Sequence, residues 1–240
     1  MMPPVVILTG GLATRLYPVT LKIPKSLIEV AGKPFIFHQL TLLKRQGVCN
    51  VVLCVGKFGE MIQDYVGDGH AWGLKVRYSY DGEALLGTGG AVKKATSLLP
   101  EVFLVLYGDS YLDVDLKPIL ELFEFEGKPA LMTVYHNKNK WDKSNILFKN
   151  GRIEKYDKKN PIPQMEHLDY GINILRKSIF IDRPYATPFD LSEVYIKLIE
   201  KGEVSAFEVF KRFYEIGSIR GIKETEEYLN TKHQKVEIRD

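Results

Sequence analysis

Short, almost wholly apolar runs alternate with stretches of helical spacing through the first half of the chain. Val5-Val6-Ile7-Leu8, Val51 to Val55 and Val102 to Leu106 have the unbroken apolar character of strands buried on both faces. Lys75 to Tyr80 alternates like a strand, and Ala130 to Tyr135 completes the set. Between them, Pro34 opens a helix whose face carries Ile36, Leu40 and Leu43 and which Gly47 ends. Gly59 to Val66, Ala91 to Leu98 and the spacing of Leu116, Ile119, Leu120 and Phe123 predict three more helices. Such alternation predicts an α/β fold, a Rossmann-like, mainly parallel sheet flanked by helices.

The second half reads differently. Asn145 to Lys149 and Arg152 to Tyr156 flank Asn150-Gly151, a hairpin signal. Asp169 to Leu175 and Arg212 to Ile216 predict further strands; a helix carries Leu191, Val194, Tyr195, Leu198 and Ile199, and Ile222 to Lys232 forms the last helix. With no linker or internal repeat, one domain over 1–240 is expected: a nucleotide-binding half, 1–135, and a mixed-strand half for a second substrate, 136–240.

Composition narrows the function classes. The 240 residues carry 33 Lys+Arg against 30 Asp+Glu, a net charge of +3, which leaves no footprint for nucleic acid and no basic block for an anionic membrane. No apolar run approaches the ~18 residues of a membrane span, and Cys49 and Cys54 lack metal-ligand or CxxC spacing. A cytoplasmic enzyme with reduced thiols is the expectation.

Chemistry concentrates after the first strand, in Leu8-Thr9-Gly10-Gly11-Leu12-Ala13-Thr14-Arg15-Leu16. A Gly pair beyond a strand's carboxyl end lets backbone N–H groups approach phosphates, and Arg15 offers a permanently charged planar fork. Ile23-Pro24-Lys25-Ser26-Leu27 follows, where Pro24 favours extended chain before Lys25 projects a second cation. The pattern is neither GxGxxG nor GxxxxGK[ST]. GGLATRL followed by IPKSLIEVAGKPFI resembles the GGxGTRL…PKPLxxVxGKPxI signature of sugar-1-phosphate nucleotidyltransferases, most closely the single-domain branch containing heptose- and hexose-1-phosphate guanylyltransferases. The likeness runs to about Leu229, with Ala13 in place of the family's Gly.

That resemblance implies site residues along the whole chain. Leu8, Gly10, Gly11, Thr14, Arg15 and Lys25 would hold the nucleoside triphosphate. Leu86-Gly87-Thr88-Gly89-Gly90-Ala91, a Gly-rich turn opening a helix, would lie over base and ribose through Gly87, Thr88 and Gly89. Gly108-Asp109, after the most apolar strand, matches the family's strand-end pair, whose Asp resembles a Mg²⁺ ligand; Mg²⁺ suits carboxylate and phosphate oxygens. Glu215, in Phe213-Tyr214-Glu215-Ile216-Gly217-Ser218, stands where the family has its second metal-binding Asp. Lys159 matches the lysine that contacts the sugar phosphate, although Lys158 and Asn160 depart from the family's Glu and Pro. Gly171 would let backbone lie against the sugar, and Tyr170 either stacks on it or packs in the core.

The implied partners are an NTP and a sugar 1-phosphate, in a chain that is also compatible with a homo-oligomer. The products, an NDP-sugar and pyrophosphate, would serve polysaccharide or glycoconjugate synthesis; GTP with a heptose or hexose 1-phosphate is the expected pair. Arg15, Lys25 and Asp109 are the expected catalytic residues. Asp113-Val114-Asp115 supports one alternative, a glycosyltransferase that consumes nucleotide sugars, against an N-capping role for Asp115. A non-catalytic, ligand-sensing relative is the other.

Overall fold

The computed structural model describes residues 2–11, 14–183 and 187–237, with side chains described up to residue 232. In chain order the elements are β1 (Val5–Leu8), β2 (Glu29–Val30), β3 (Lys33–Pro34), α1 (Phe35–Arg45), β4 (Asn50–Val55), α2 (Gly59–Val66), β5 (Lys75–Tyr80) and α3 (Gly87–Ala95). There follow β6 (Val102–Tyr107), β7 (Ser110–Tyr111), α4 (Leu116–Glu126), β8 (Ala130–His136), β9 (Ile146–Lys149), β10 (Arg152–Tyr156) and β11 (His167–Arg176). The chain ends with α5 (Ser192–Glu200), β12 (Val204–Val209), β13 (Tyr214–Glu215) and α6 (Ile219–Glu237).

One nine-stranded sheet organises the chain, in the order β10-β9-β11-β6-β1-β4-β5 with β8 and β12 branching from β11. The segment β6-β1-β4-β5 is parallel. β11, from the second half, runs antiparallel to β6 of the first, so the sheet is continuous across both halves. Side chains alternate between its faces, as strand geometry requires. Val5, Ile7, Leu53 and Leu104 pack with Ile36 and Leu40 of α1 and Phe123 of α4. Val6, Val52, Phe103 and Val105 face Val92 of α3 and Tyr195 and Leu198 of α5. Each such aliphatic side chain, fully buried, contributes ~1.5–3 kcal/mol, which explains why unbroken apolar runs locate these strands.

Two regions depart from the sequence reading. Arg212 to Ile216 yields only the two-residue β13, because its partner β7 offers just Ser110 and Tyr111 before the chain turns away. β12 was not anticipated: its burial is uneven along Val204–Val209, and its pairing with β8 supplies the order that its composition does not announce.

Candidate active site

The chain leaves β1 for β4 and β5 on one side and returns to β6 on the other, so strand order reverses between β1 and β6. Crevices of this kind, at carboxyl ends of parallel strands, are where ligands bind in open α/β sheets. Gly108 makes the crevice: its N–H donates to the Leu8 carbonyl at 3.0 Å, and a side chain there would collide with that backbone. Asp109 follows at the strand end, two-thirds shielded, and Lys25 Nζ reaches its Oδ2 at 2.8 Å. Lys25 stands at the start of a 3-10 turn, Lys25–Leu27, after the extended Pro24.

Glu215 arrives from the far end of the sequence. β13 pairs with β7, and the Ile216 N–H donates to the Asp109 carbonyl at 2.9 Å. Around Gly217, the position a Cβ would take lies 2.7 Å from Glu215 Oε2, 3.4 Å from Arg15 Nη2 and 3.7 Å from Asp109 Oδ2. Two carboxylates and two cations therefore meet at one point. Glu215 also serves its own chain: its carboxylate accepts from the Gly217 N–H and from Ser218 Oγ, and Ser218 caps α6 by accepting from the Gly221 N–H at 2.9 Å. Thr14 and Arg15 begin the turn Thr14–Leu16; Thr14 is exposed and lines neither cavity described below, while Leu12 and Ala13 lie outside the described residues.

An inner cavity of about 230 Å³ is lined by Leu8, Gly10, Gly11, Lys25, Gly87 and Thr88 of the expected nucleotide residues, and by Asp109; Arg15, also expected there, lines only the outer cleft described below. Gly89 is a correction. Its N–H is spent on the Phe189 carbonyl at 2.9 Å, the Phe189 ring occupies the space a side chain would need, and Thr88 Oγ1 accepts from the Leu191 N–H. The glycines at 89 and 90 thus admit the 187–191 segment, while Gly87, Thr88 and Ala91 face the cavity. Asp81, which sequence reading missed, stands in the same cavity beside Cys54 and Leu85. Burial pushes its carboxyl above the ordinary aspartate range, against the Leu86 N–H and Lys94.

An outer cleft of about 580 Å³, within the ~300–1,000 Å³ of small-molecule sites, shares Tyr107 and Asp109 with the inner cavity. Arg15, Trp141, Lys143, Lys158, Asp169 and Glu215 are among its walls. Lys159 does not reach it. The Lys159 and Asn160 N–H groups both donate to Asp157 Oδ1, and this turn sends Lys158 inward instead, its Nζ 5.4 Å above the Tyr107 ring. Tyr170 borders the cleft, but its side chain is 2% exposed and packs on Tyr135 and Phe213, the core placement that sequence reading set beside sugar stacking. Gly171 holds φ +107° in a bulge of β11 between Asp169 and Asn173, with the Tyr107 ring 3.2 Å from where its Cβ would stand. Asp169 accepts from the Gly171 N–H and the Tyr107 hydroxyl, which fixes the bulge against the floor of the cleft.

The acidic pair Asp113 and Asp115 is committed elsewhere. Lys211, Lys232 and Tyr228 reach Asp113 Oδ2 at 2.5, 2.8 and 2.6 Å, and Asp115 caps α4 through the Lys117 N–H. Burial works against the charged form of Asp113, yet those three partners outweigh it and hold the carboxyl far below its ordinary range. Asp81 and Trp141 escaped sequence reading because neither belongs to a spaced motif, whereas Lys158 and Asp169 stood inside family-like segments without being given a role. The turn-forming Asp157 was the one signal that could have favoured Lys158 over its neighbour.

Comparison with known proteins places the chain in a family. The family model described as Nucleotidyl transferase matches residues 4–230, and the chain belongs to that family. It is 27% identical over 88% of its length to mannose-1-phosphate guanyltransferase beta-B of Xenopus laevis, and spans about 60% of that relative. Over 48% of its length it is 39% identical to about half of the D-glycero-alpha-D-manno-heptose 1-phosphate guanylyltransferase of Campylobacter jejuni. The structure of HddC from Yersinia pseudotuberculosis complexed with GMP-PN matches at TM-score 0.79 and 27% identity, covering 95% of this chain and 100% of that one. A Bacillus anthracis structure at 19% identity and TM-score 0.83 shares the fold. Among the described residues, no helix is long and apolar enough to cross a membrane.

Proposed function

We propose that this chain transfers the nucleoside monophosphate of GTP to a hexose or heptose 1-phosphate, giving an NDP-sugar and pyrophosphate in the cytoplasm. The observation that carries this reading is the meeting of Arg15, Lys25, Asp109 and Glu215 where two cavities share one wall. The inner cavity takes the nucleotide and the outer cleft the sugar phosphate. Guanine presents two donors on its pairing edge, N1–H and the N2 amino group. An ionised Asp81 accepts both, whereas the corresponding edge of uracil or thymine offers one.

The sugar phosphate, with a second pKa of ~6, is mostly dianionic at neutral pH and needs no general base. One of its oxygens forms a bond to the α-phosphorus while the bond from that phosphorus to the bridging oxygen of pyrophosphate breaks. The protein's work is to align the partners and offset their repulsion. Lys25 and Arg15 supply positive charge at the junction, Lys158 steadies the acceptor phosphate, and the Gly10-Gly11 backbone admits the triphosphate closely.

Asp109 and Glu215 would hold Mg²⁺. Their oxygens suit this hard cation, and the cleft leaves room for the waters it retains. When bound, it would neutralise phosphate charge. Asp113 and Asp115, tied to lysines, a tyrosine and a helix end, are withdrawn from the glycosyltransferase reading. Pyrophosphate release measured over a grid of NTPs and sugar 1-phosphates tests the proposal. Preference for UTP or dTTP would overturn the base assignment, and no release with any pair would overturn the activity.

A further inference from the structure

Where β8 ends and β11 begins, His136 and His167 are antiparallel cross-strand partners, and their imidazoles stack at 4.6 Å with 15° between planes. β12 flanks β8 on the opposite side, with Glu208 opposite Val134. Val134 and His136 share a face of β8, so three adjacent strands deliver His136, His167 and Glu208 to one place. Glu208 Oε1 is 3.1 Å from His167 Nε2, and Glu166 Oε2 is 3.0 Å from His136 Nε2. One ligand atom from each of His136, His167 and Glu208 lies within 4.8 Å of the other two. None of these residues lines the transfer cleft.

We propose that His136, His167 and Glu208 form a binding site for one imidazole-preferring divalent transition metal ion, Zn²⁺, distinct from the nucleotidyl-transfer centre. Two neutral imidazoles and a carboxylate make the N₂O donor set of many zinc sites, whereas Mg²⁺ takes oxygen ligands. Ligand bonds of ~2.0–2.2 Å require the three donor atoms to close up from their present spacing. The half-exposed His136 and Glu208 can do this by rotating about side-chain bonds, while His167 stays fixed by burial and by the edge of Phe148 at 4.9 Å. Burial also pushes the His167 imidazole below the usual histidine range, towards the neutral form that ligates, although Glu208 pulls the other way. Glu166 then either completes the shell or orients His136 from outside it.

The ion would staple β8, β11 and β12 together beside the cleft. From His167, β11 runs directly into Asp169 and Gly171. The Glu166 carbonyl accepts the Asn137 and Lys138 N–H groups at 2.9 Å and Ser144 Oγ at 3.2 Å, holding the loop that carries Trp141. A metal here therefore stiffens the wall of the outer cleft without entering it.

The test uses the full chain, stripped with a chelator, dialysed, and titrated with Zn²⁺ in a large excess of Mg²⁺. Metal content is read after gel filtration, and Co²⁺ is used in parallel for its visible absorption bands. Wild type is expected to retain one Zn²⁺ per chain and to gain several degrees in Tm. His136→Ala and Glu208→Gln should each weaken binding at least tenfold and lose the Co²⁺ bands. Exposed His136 can be truncated without opening the core, and the metal-free Tm of both variants verifies their folding. Failure of wild type to retain Zn²⁺ would overturn the proposal, and so would unchanged affinity in both variants.

Discussion

Lys25 and Asp109 lie 84 residues apart in the chain, yet the lysine Nζ donates to the Asp109 carboxylate at 2.8 Å. The contact lies where the two cavities meet, because both residues line the inner one and Asp109 lines the outer as well. A phosphate arriving there competes with Asp109 for the ammonium, and a cation competes with the ammonium for the carboxylate. The pair is therefore poised to separate when substrates enter.

Lys25→Ala should retain the fold and reduce turnover at saturating substrates by about a hundredfold, the cost of losing one preorganised charge donor. Steady-state kcat beside a thermal melt checks this. A variant with near wild-type kcat would remove Lys25 from the transfer step.

Lys158 and Lys159 are neighbours with different placements: the Lys158 ammonium lies over the Tyr107 ring in the cleft, and Lys159 lines no part of it. Lys158→Ala should lower kcat/KM for the sugar 1-phosphate by about tenfold or more, as expected for a charge-assisted hydrogen bond of ~1.5–3 kcal/mol. Lys159→Ala should change it by less than about twofold. Equal effects of the two substitutions would contradict the assignment.

Asp81 should select the base. Asp81→Asn exchanges an acceptor for a group with its own donors, and kcat/KM for GTP should fall by about a hundredfold relative to UTP. Because burial raises the Asp81 carboxyl above its ordinary range, wild-type KM for GTP should rise as pH falls through that raised value and the acceptor is protonated. A KM for GTP that shows no rise with acidification would exclude the ionised carboxylate as the reader.

Asp113 should matter for stability instead. Its folded pKa lies below the unfolded ~3.9, so its contribution is present above that pH and is lost as pH falls towards the folded value. Asp113→Ala should cost about 2–4 kcal/mol at neutral pH, since Lys232 and Tyr228 lose their acceptor. The difference from wild type should shrink in acid. Chemical denaturation at two pH values measures both effects.

Much of this was legible in the chain itself. Parallel strands announce themselves because burial on both faces demands unbroken Val, Ile and Leu, and β1, β4 and β6 were found that way. The Asn150-Gly151 turn was legible because both residues take positive φ, +50° and +75°. Gly10, Gly11 and Asp109 could be named from local motifs at strand ends, and Lys25 from the Pro24-Lys25 motif that follows the first loop. What failed depended on which way one turn faces: Asp157 decides between Lys158 and Lys159, and Phe189 decides what Gly89 is for. β12 needed β8 to exist, and the His136–His167 pair needed the register of β11. Such information lies in tertiary contacts and leaves little trace in local spacing.

The most direct test follows phosphorus. Purified protein is incubated with Mg²⁺, GTP labelled at the α-phosphate, and either mannose 1-phosphate or D-glycero-α-D-manno-heptose 1-phosphate. Label should move into a GDP-sugar in amounts equal to the pyrophosphate released, and Asp109→Asn should abolish most of it. Label that remained in GTP with either acceptor, or that appeared as free GDP with inorganic phosphate, would contradict nucleotidyl transfer at this site.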